Sequence, residues 1–274
     1  MTFSVFFLVL LAALTHALWN SWLKVSGDRL VALAAMGVGW TIVGLAALPL
    51  VGMPQPQAWP FLVASTIVHT IYTLILIAAY RLGDLSVVYP IARGLGPLIV
   101  ALVSTFYFGD ELGTNGTIGL AFIVAGVVGL GMPSATPSYP SLGYSVLTGA
   151  LIGAYTLLDG LGGRNGGSPH VYATWLFLLT GFPVIVIAIA EHRVRFITLA
   201  RPIWKKGVTA GVLSAGAYWI VIWAMSDAHM GLVAALRESS VVFVALIGAF
   251  LLKERVRWLA VALVFVGVVF TKLA

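Results

Sequence analysis

Apolar runs of about twenty residues alternate along this chain with short polar or Gly/Pro-rich breaks, and the breaks delimit the elements. They predict helices over 3–23, 30–52, 58–80, 85–108 and 115–132, then over 141–160, 170–190, 207–227, 231–252 and 256–273. A bilayer core about 30 Å thick takes roughly 20 helical residues, so each run is of spanning length. Barrel strands are excluded because the runs are about twice their length. The expected fold is therefore an all-α membrane protein with ten transmembrane helices. The most linker-like segment, GMPSATPSYPSLG at 131–143, divides it into a five-helix repeat over 1–133, a linker over 134–140 and a second repeat over 141–274.

Composition agrees: of 274 residues, 61% are hydrophobic and only 9% charged, with a mean hydropathy of +1.05. Ten spans leave only short loops and no room for a separate soluble domain. The first apolar run lacks a basic leading segment and is read as a permanent helix rather than a cleaved signal peptide. Cysteine is absent, which excludes disulfides, thiolate metal sites and cysteine nucleophiles. The net charge of +6 resides mostly in loops between apolar runs, a pattern suited to anionic lipid headgroups rather than to nucleic acid. The bilayer is the expected partner, and oligomeric state is unreadable.

The two halves repeat one another. Residues 72–111 and 218–254 align with small gaps, pairing Tyr72 with Tyr218, Arg93 with Arg237 and Glu111 with Glu254. Five helices is an odd number, so the second repeat enters the membrane upside down. Inverted repeats of this kind characterise secondary transporters, with substrate at the midplane between them.

Arg93 and Arg237, 144 residues apart, each lie within a spanning run. A charged residue there is costly and marks a functional site by default. They sit about eight and six residues inside their helices, roughly 12 and 9 Å, entering from opposite faces. Pro90, Gly94, Gly96 and Pro97 are expected to kink or break the fourth helix around Arg93. Guanidinium groups match carboxylate, phosphate or phosphonate oxygens in a bidentate fork, which points to an anionic or zwitterionic substrate. The competing reading is structural, with Arg237 paired to Glu238 or another buried carboxylate and Arg93 to a helix-end carbonyl. Glu238 has no acidic counterpart beside Arg93, which favours Arg93 as the substrate ligand.

Other candidates surround this pair. His16, Asn20 and Lys24 form a polar stripe on the first helix, with Trp19 beside it. His16 is a candidate for proton coupling, the alternative being an interhelical hydrogen bond. Tyr72 and Tyr218 are repeat-equivalent, and His69 shares a face with Tyr72. Tyr155 and Asp159 are four apart on the sixth helix. Asp159 either carries protons or an ammonium group, or salt-bridges Arg164 or Lys24 at a helix end. Trp219 and Trp223 are further candidates for the cavity wall, and Asp227 and His229 are read as solvated turn residues. GLGG at 160–163 and RGLG at 93–96 are not phosphate loops, since no strand precedes them and no GK[ST] follows. No cofactor, metal or direct use of ATP is implied.

The motifs HALWN (16–20), the Pro97-bearing fourth helix, FGDEL (108–112), LLKER (251–255) and the Gly-rich fifth and tenth helices together resemble the drug/metabolite transporter superfamily, specifically its EamA-type ten-helix transporters. HALWN with AYTLLDGLGGR (154–164) also resembles a subgroup associated with phosphonate-utilisation genes. The resemblance spans essentially the whole chain. It implies a small-molecule carrier in the cell membrane (the inner membrane, in a bacterium) and not an enzyme.

Helices 1, 3, 4, 6, 8 and 9 are expected to line a central cavity, with 5 and 10 closing the back. Coupling to protons or to a counter-substrate stays open. The rival readings are an exporter of organic cations or drugs, and an integral-membrane enzyme acting on a lipid-linked anion. Sidedness is contested. Eleven of the fifteen Lys and Arg residues fall on the face opposite the N-terminus, which by the positive-inside rule puts both termini outside. The family resemblance implies termini inside.

Overall fold

Helices form wherever the sequence is apolar in the computed structural model, which describes residues 1–82, 85–130, 139–252 and 256–274. The elements are α1 (Phe3–Val25), α2 (Arg29–Val51), α3 (Trp59–Leu82), α4 (Leu85–Phe108), α5 (Gly113–Leu130), α6 (Tyr139–Asn165), α7 (Pro169–His192), α8 (Arg195–Ala200), α9 (Trp204–Asp227), α10 (Met230–Arg237), α11 (Ser240–Leu252) and α12 (Trp258–Leu273). Polar residues at the breaks start several of them. Thr2 Oγ1 accepts from the Val5 amide, Asp28 from Val31 and Ser168 from His170, each satisfying a donor that a helix start leaves open. Of the described helices, nine stretches are long and apolar enough to span a membrane, the ninth running through α10 into α11. α12, with 16 residues, is about 24 Å long and falls short of a full hydrocarbon core. The protein is an all-helical, multi-pass membrane protein.

Four sequence expectations change. α6 continues to Asn165, five residues past its expected end, because the glycines read as a stop are packing contacts. A Cβ on Gly162 would meet the Tyr172 ring at 2.0 Å, and one on Gly160 the Met230 sulfur at 2.6 Å. α4 runs unbroken through Pro97, with its glycines seated against α5 and α6. Instead the break falls in the other repeat, at Glu238 and Ser239, where i→i−3 bonds from their amides to Ala235 and Leu236 separate α10 from α11. Finally, α8 is a short helix that the hydrophobic pattern did not reveal. Apart from Tyr139 and Pro140, which open α6, the expected linker 134–140 lies outside the described residues.

Packing follows the internal likeness of the sequence. With α1 matched to α6, α2 to α7, α3 to α9, α4 to α10–α11 and α5 to α12, contacts come in corresponding sets. α3 against α6 is mirrored by α9 against α1, and α4 against α6 by α10 and α11 against α1. α2 packs on its counterpart α7, as α5 does on α12. The closest approaches are made by glycine: a Cβ on Gly211 of α9 would lie 2.2 Å from the Met36 carbonyl oxygen of α2. Lys272 Nζ donates to the Met1 carbonyl at 3.4 Å, so both ends of the chain share one face.

Candidate functional site

Between the halves lies a cavity of roughly 130 Å³. Nine of the ten residues singled out from the sequence line it: His16, Trp19 and Asn20 from α1, His69 and Tyr72 from α3, Arg93 from α4, Tyr155 from α6, Tyr218 from α9 and Arg237 from α10. Asp159, the tenth, lies behind this wall. Two further helices contribute that were not expected to, α2 through Leu33, Met36 and Trp40, and α7 through Phe177 and Thr180 among others. Their residues are mostly apolar and carried no chemical signal. α5 and α12 take no part in the lining. Trp219 donates its indole N–H to His170 Nδ1 and Trp223 packs on the core, so neither walls the cavity.

Arg93 and Arg237 are each 4% exposed, and Glu238 is fully buried. The Glu238 carboxylate bridges them, with Oε2 2.6 Å from Arg93 Nε and Oε1 3.5 Å from Arg237 Nη2. Arg93 Nη2 also donates to Ser240 Oγ at 2.9 Å. The closer pairing is with Arg93, across the repeat, which reverses the sequence argument that Arg93 lacks an acidic partner. Glu238 caps the end of α10 in a right-handed helical conformation and reaches Arg93 on α4. The Arg237 guanidinium lies over the Tyr218 ring, 5.7 Å from its centroid. Two buried donors on the cavity wall, Arg237 Nε and Trp19 Nε1, have no hydrogen-bond acceptor among the described residues. Buried donors are normally paired, so these two call for an acceptor.

Asp159 is six residues inside α6 rather than at its end, and it does not pair with Arg164, one of the two cations first considered for it. Arg164 pairs elsewhere, and the Lys24 side chain lies outside the described residues. Instead the buried Asp159 carboxylate collects hydroxyls from three helices: Ser65 and Tyr172 on Oδ1 and Tyr218 on Oδ2, the last at 2.6 Å. His69 Nε2 completes the set, 3.1 Å from Oδ2. His69 in turn stacks on Tyr155 with centroids 4.1 Å apart. Tyr172 and Ser65 escaped the sequence reading because each is a lone hydroxyl in an apolar run.

A second polar cluster lies at the terminal face, beyond the cavity. Arg164 grips Asp110 through two hydrogen bonds, 2.9 and 3.1 Å, and donates to the carbonyls of Met225 and Ala228 at the end of α9. His229 is not a solvated turn residue, since its Nδ1 accepts from Gly231 and Leu232 and caps α10. Burial lowers its pKa below the usual imidazole value, against the pull of Asp110. Glu111 follows α4 in the same turn region, and its repeat partner Glu254 lies outside the described residues. No cluster among the described residues has the make-up of a metal site.

One solved crystal structure matches 98% of this chain over 95% of its own, with a TM-score of 0.72 and 19% identity, a likeness of fold alone. No curated protein matches the sequence. The model of the EamA-like transporter family matches residues 141–273, nearly all of the second half. Over residues 141–273 the chain thus resembles the EamA-like transporter family, a family of small-molecule membrane transporters, on an all-helical multi-pass fold.

Proposed function

We propose that the protein is a secondary carrier that moves a small anionic or zwitterionic metabolite by alternating access between two inverted repeats, 1–133 and 141–274. The observation that carries this reading is the orientation of charge. Among the described residues, the charged side chains on the cavity wall are the guanidiniums of Arg93 and Arg237, while the carboxylates of Glu238 and Asp159 are fully buried and do not line it. An anionic oxygen in the cavity would accept from the open donors Arg237 Nε and Trp19 Nε1. Tyr72, Tyr155, Tyr218 and Trp40 supply apolar wall with hydrogen-bonding edges. The volume, roughly 130 Å³, is comparable to an engineered cavity of about 150 Å³ that holds benzene, so a metabolite of about six heavy atoms is the right size. An organic cation draws support from the aromatic wall, but both guanidiniums would oppose it.

The test is ligand-dependent stabilisation of purified protein. Small carboxylates, sulfonates, phosphonates and amino acids are expected to raise Tm, by an amount equivalent to about 2.7 kcal/mol at a hundredfold excess over Kd, and simple amines are not. Arg237→Gln should remove the response while leaving a folded, monodisperse protein. A response to amines alone would overturn the assignment.

A further inference from the structure

His69 is the imidazole that, alongside the Tyr218 phenol, joins the cavity to the buried Asp159 network. Its side chain is 23% exposed, it lines the cavity, and its Nε2 lies 3.1 Å from a carboxylate that has no exposure at all. A carboxylate only accepts, so Nε2 carries the hydrogen of the neutral ring, and Nδ1 is the basic nitrogen that takes a further proton. The groups around it are Tyr72 on its own helix, Tyr155 and Asp159 on α6, Tyr172 on α7, Tyr218 on α9, Arg93 on α4, and Arg237 with Glu238 beyond them. Tyr218 links the two centres directly: its hydroxyl donates to Asp159 Oδ2, and its ring lies under the Arg237 guanidinium.

By formal charge, the two buried guanidiniums of Arg93 and Arg237 match the two buried carboxyl groups of Glu238 and Asp159 when His69 is neutral. A monoanion entering the cavity leaves one negative charge in excess in a low-dielectric site, and one proton on His69 cancels it. From this balance and geometry, and on the strength of the anion-site reading above, we infer that His69, backed by Asp159, is the proton-binding group through which the carrier takes up a monoanion together with one proton. The proton arrives on Nδ1 from the cavity and leaves with the anion by the same route. A zwitterion needs no such proton.

Methanesulfonate, a monoanion over the whole accessible pH range, and the zwitterion taurine are the probes, with binding measured by calorimetry between pH 5.5 and 8.5. Methanesulfonate affinity is expected to fall about tenfold per pH unit once His69 has lost its proton, while taurine affinity stays flat. His69→Gln keeps a donor toward Asp159 and should bind methanesulfonate with the weak, pH-independent affinity of the deprotonated protein. Proton uptake by the wild type in weak buffer, about one per anion bound, gives the same answer without a variant. A flat wild-type profile, or a slope that survives in His69→Gln, overturns the proton coupling and leaves the anion site standing. Failure of methanesulfonate, acetate and taurine all to bind overturns both.

Discussion

Arg237 and Glu238 are adjacent in sequence, and on a continuous helix their side chains would diverge by about 100°. They nonetheless share one ion-pair cluster with Arg93, at the point where α10 stops and the chain passes through tight turns before α11. The run Arg237-Glu238-Ser239-Ser240 was the available hint, four polar residues inside an apolar stretch, where Ser and Glu compete for local backbone groups. His229 bears a residue-scale prediction. Its neutral Nδ1 caps α10, and protonation would remove that acceptor. Because burial lowers the folded pKa, the unfolded chain takes up the proton first as pH falls. The cap's stabilisation is therefore complete above the ordinary imidazole value of about 6.5 and declines below it, levelling off once folded His229 titrates. His229→Asn, a cap without a titrating ring, should flatten this part of the Tm profile between pH 7.5 and 5. An unchanged difference between wild type and variant across that range would refute the capping role.

The elements themselves were largely legible, since apolar length and polar breaks are properties of contiguous sequence. What escaped was any feature set by a neighbouring helix. Gly160 and Gly162 read as a helix end, yet they make room for Met230 and Tyr172. The prolines of α4 read as a break, yet α5 and α6 hold that helix continuous. The α2–α9 crossing offers a direct check. Gly211→Ala would press a methyl against the Met36 carbonyl, and Gly39→Ala one against that of Val208, at 2.2 and 2.4 Å. Each should destabilise by about 1–3 kcal/mol and lower Tm in detergent. Gly216, on the same helix α9 with open space around its Cα, is the control, and Gly216→Ala should be neutral or mildly stabilising. Equal losses at Gly211 and Gly216 would mean that close approach to α2 does not set the cost at Gly211.

Across the whole molecule, the cavity wall is drawn from the midplane and from the helix halves nearer the basic face, such as Leu23, Leu33 and Leu76. Toward the terminal face the path is filled by core residues, including Leu62 and Met225, and by the Arg164–Asp110 clamp that ties α6 and the end of α4 to α9 and α10. In the naturally cysteine-free chain, single cysteines at Leu23 and Leu76 should label with a water-soluble maleimide, and one at Leu62 should resist. Arg164→Ala should raise labelling at Leu62 several-fold by releasing the clamp, and no increase would show that the clamp does not hold that side shut. Using an impermeant reagent on intact cells, the same positions report which face is external, where loop charge and family likeness disagree.

The broad architecture was readable from the order of residues, because bilayer thickness dictates span length and a charged group in hydrocarbon announces itself. The same holds for the internal likeness of the halves and for nine of the residues that line the cavity. Partner choice was not. That Glu238 reaches Arg93 across the repeat, that Asp159 gathers Ser65, His69, Tyr172 and Tyr218, and that Arg164 holds Asp110 all depend on helices distant in sequence meeting at close range. A side chain's charge is local information. Which opposite charge or hydroxyl satisfies it is settled only when the helices pack.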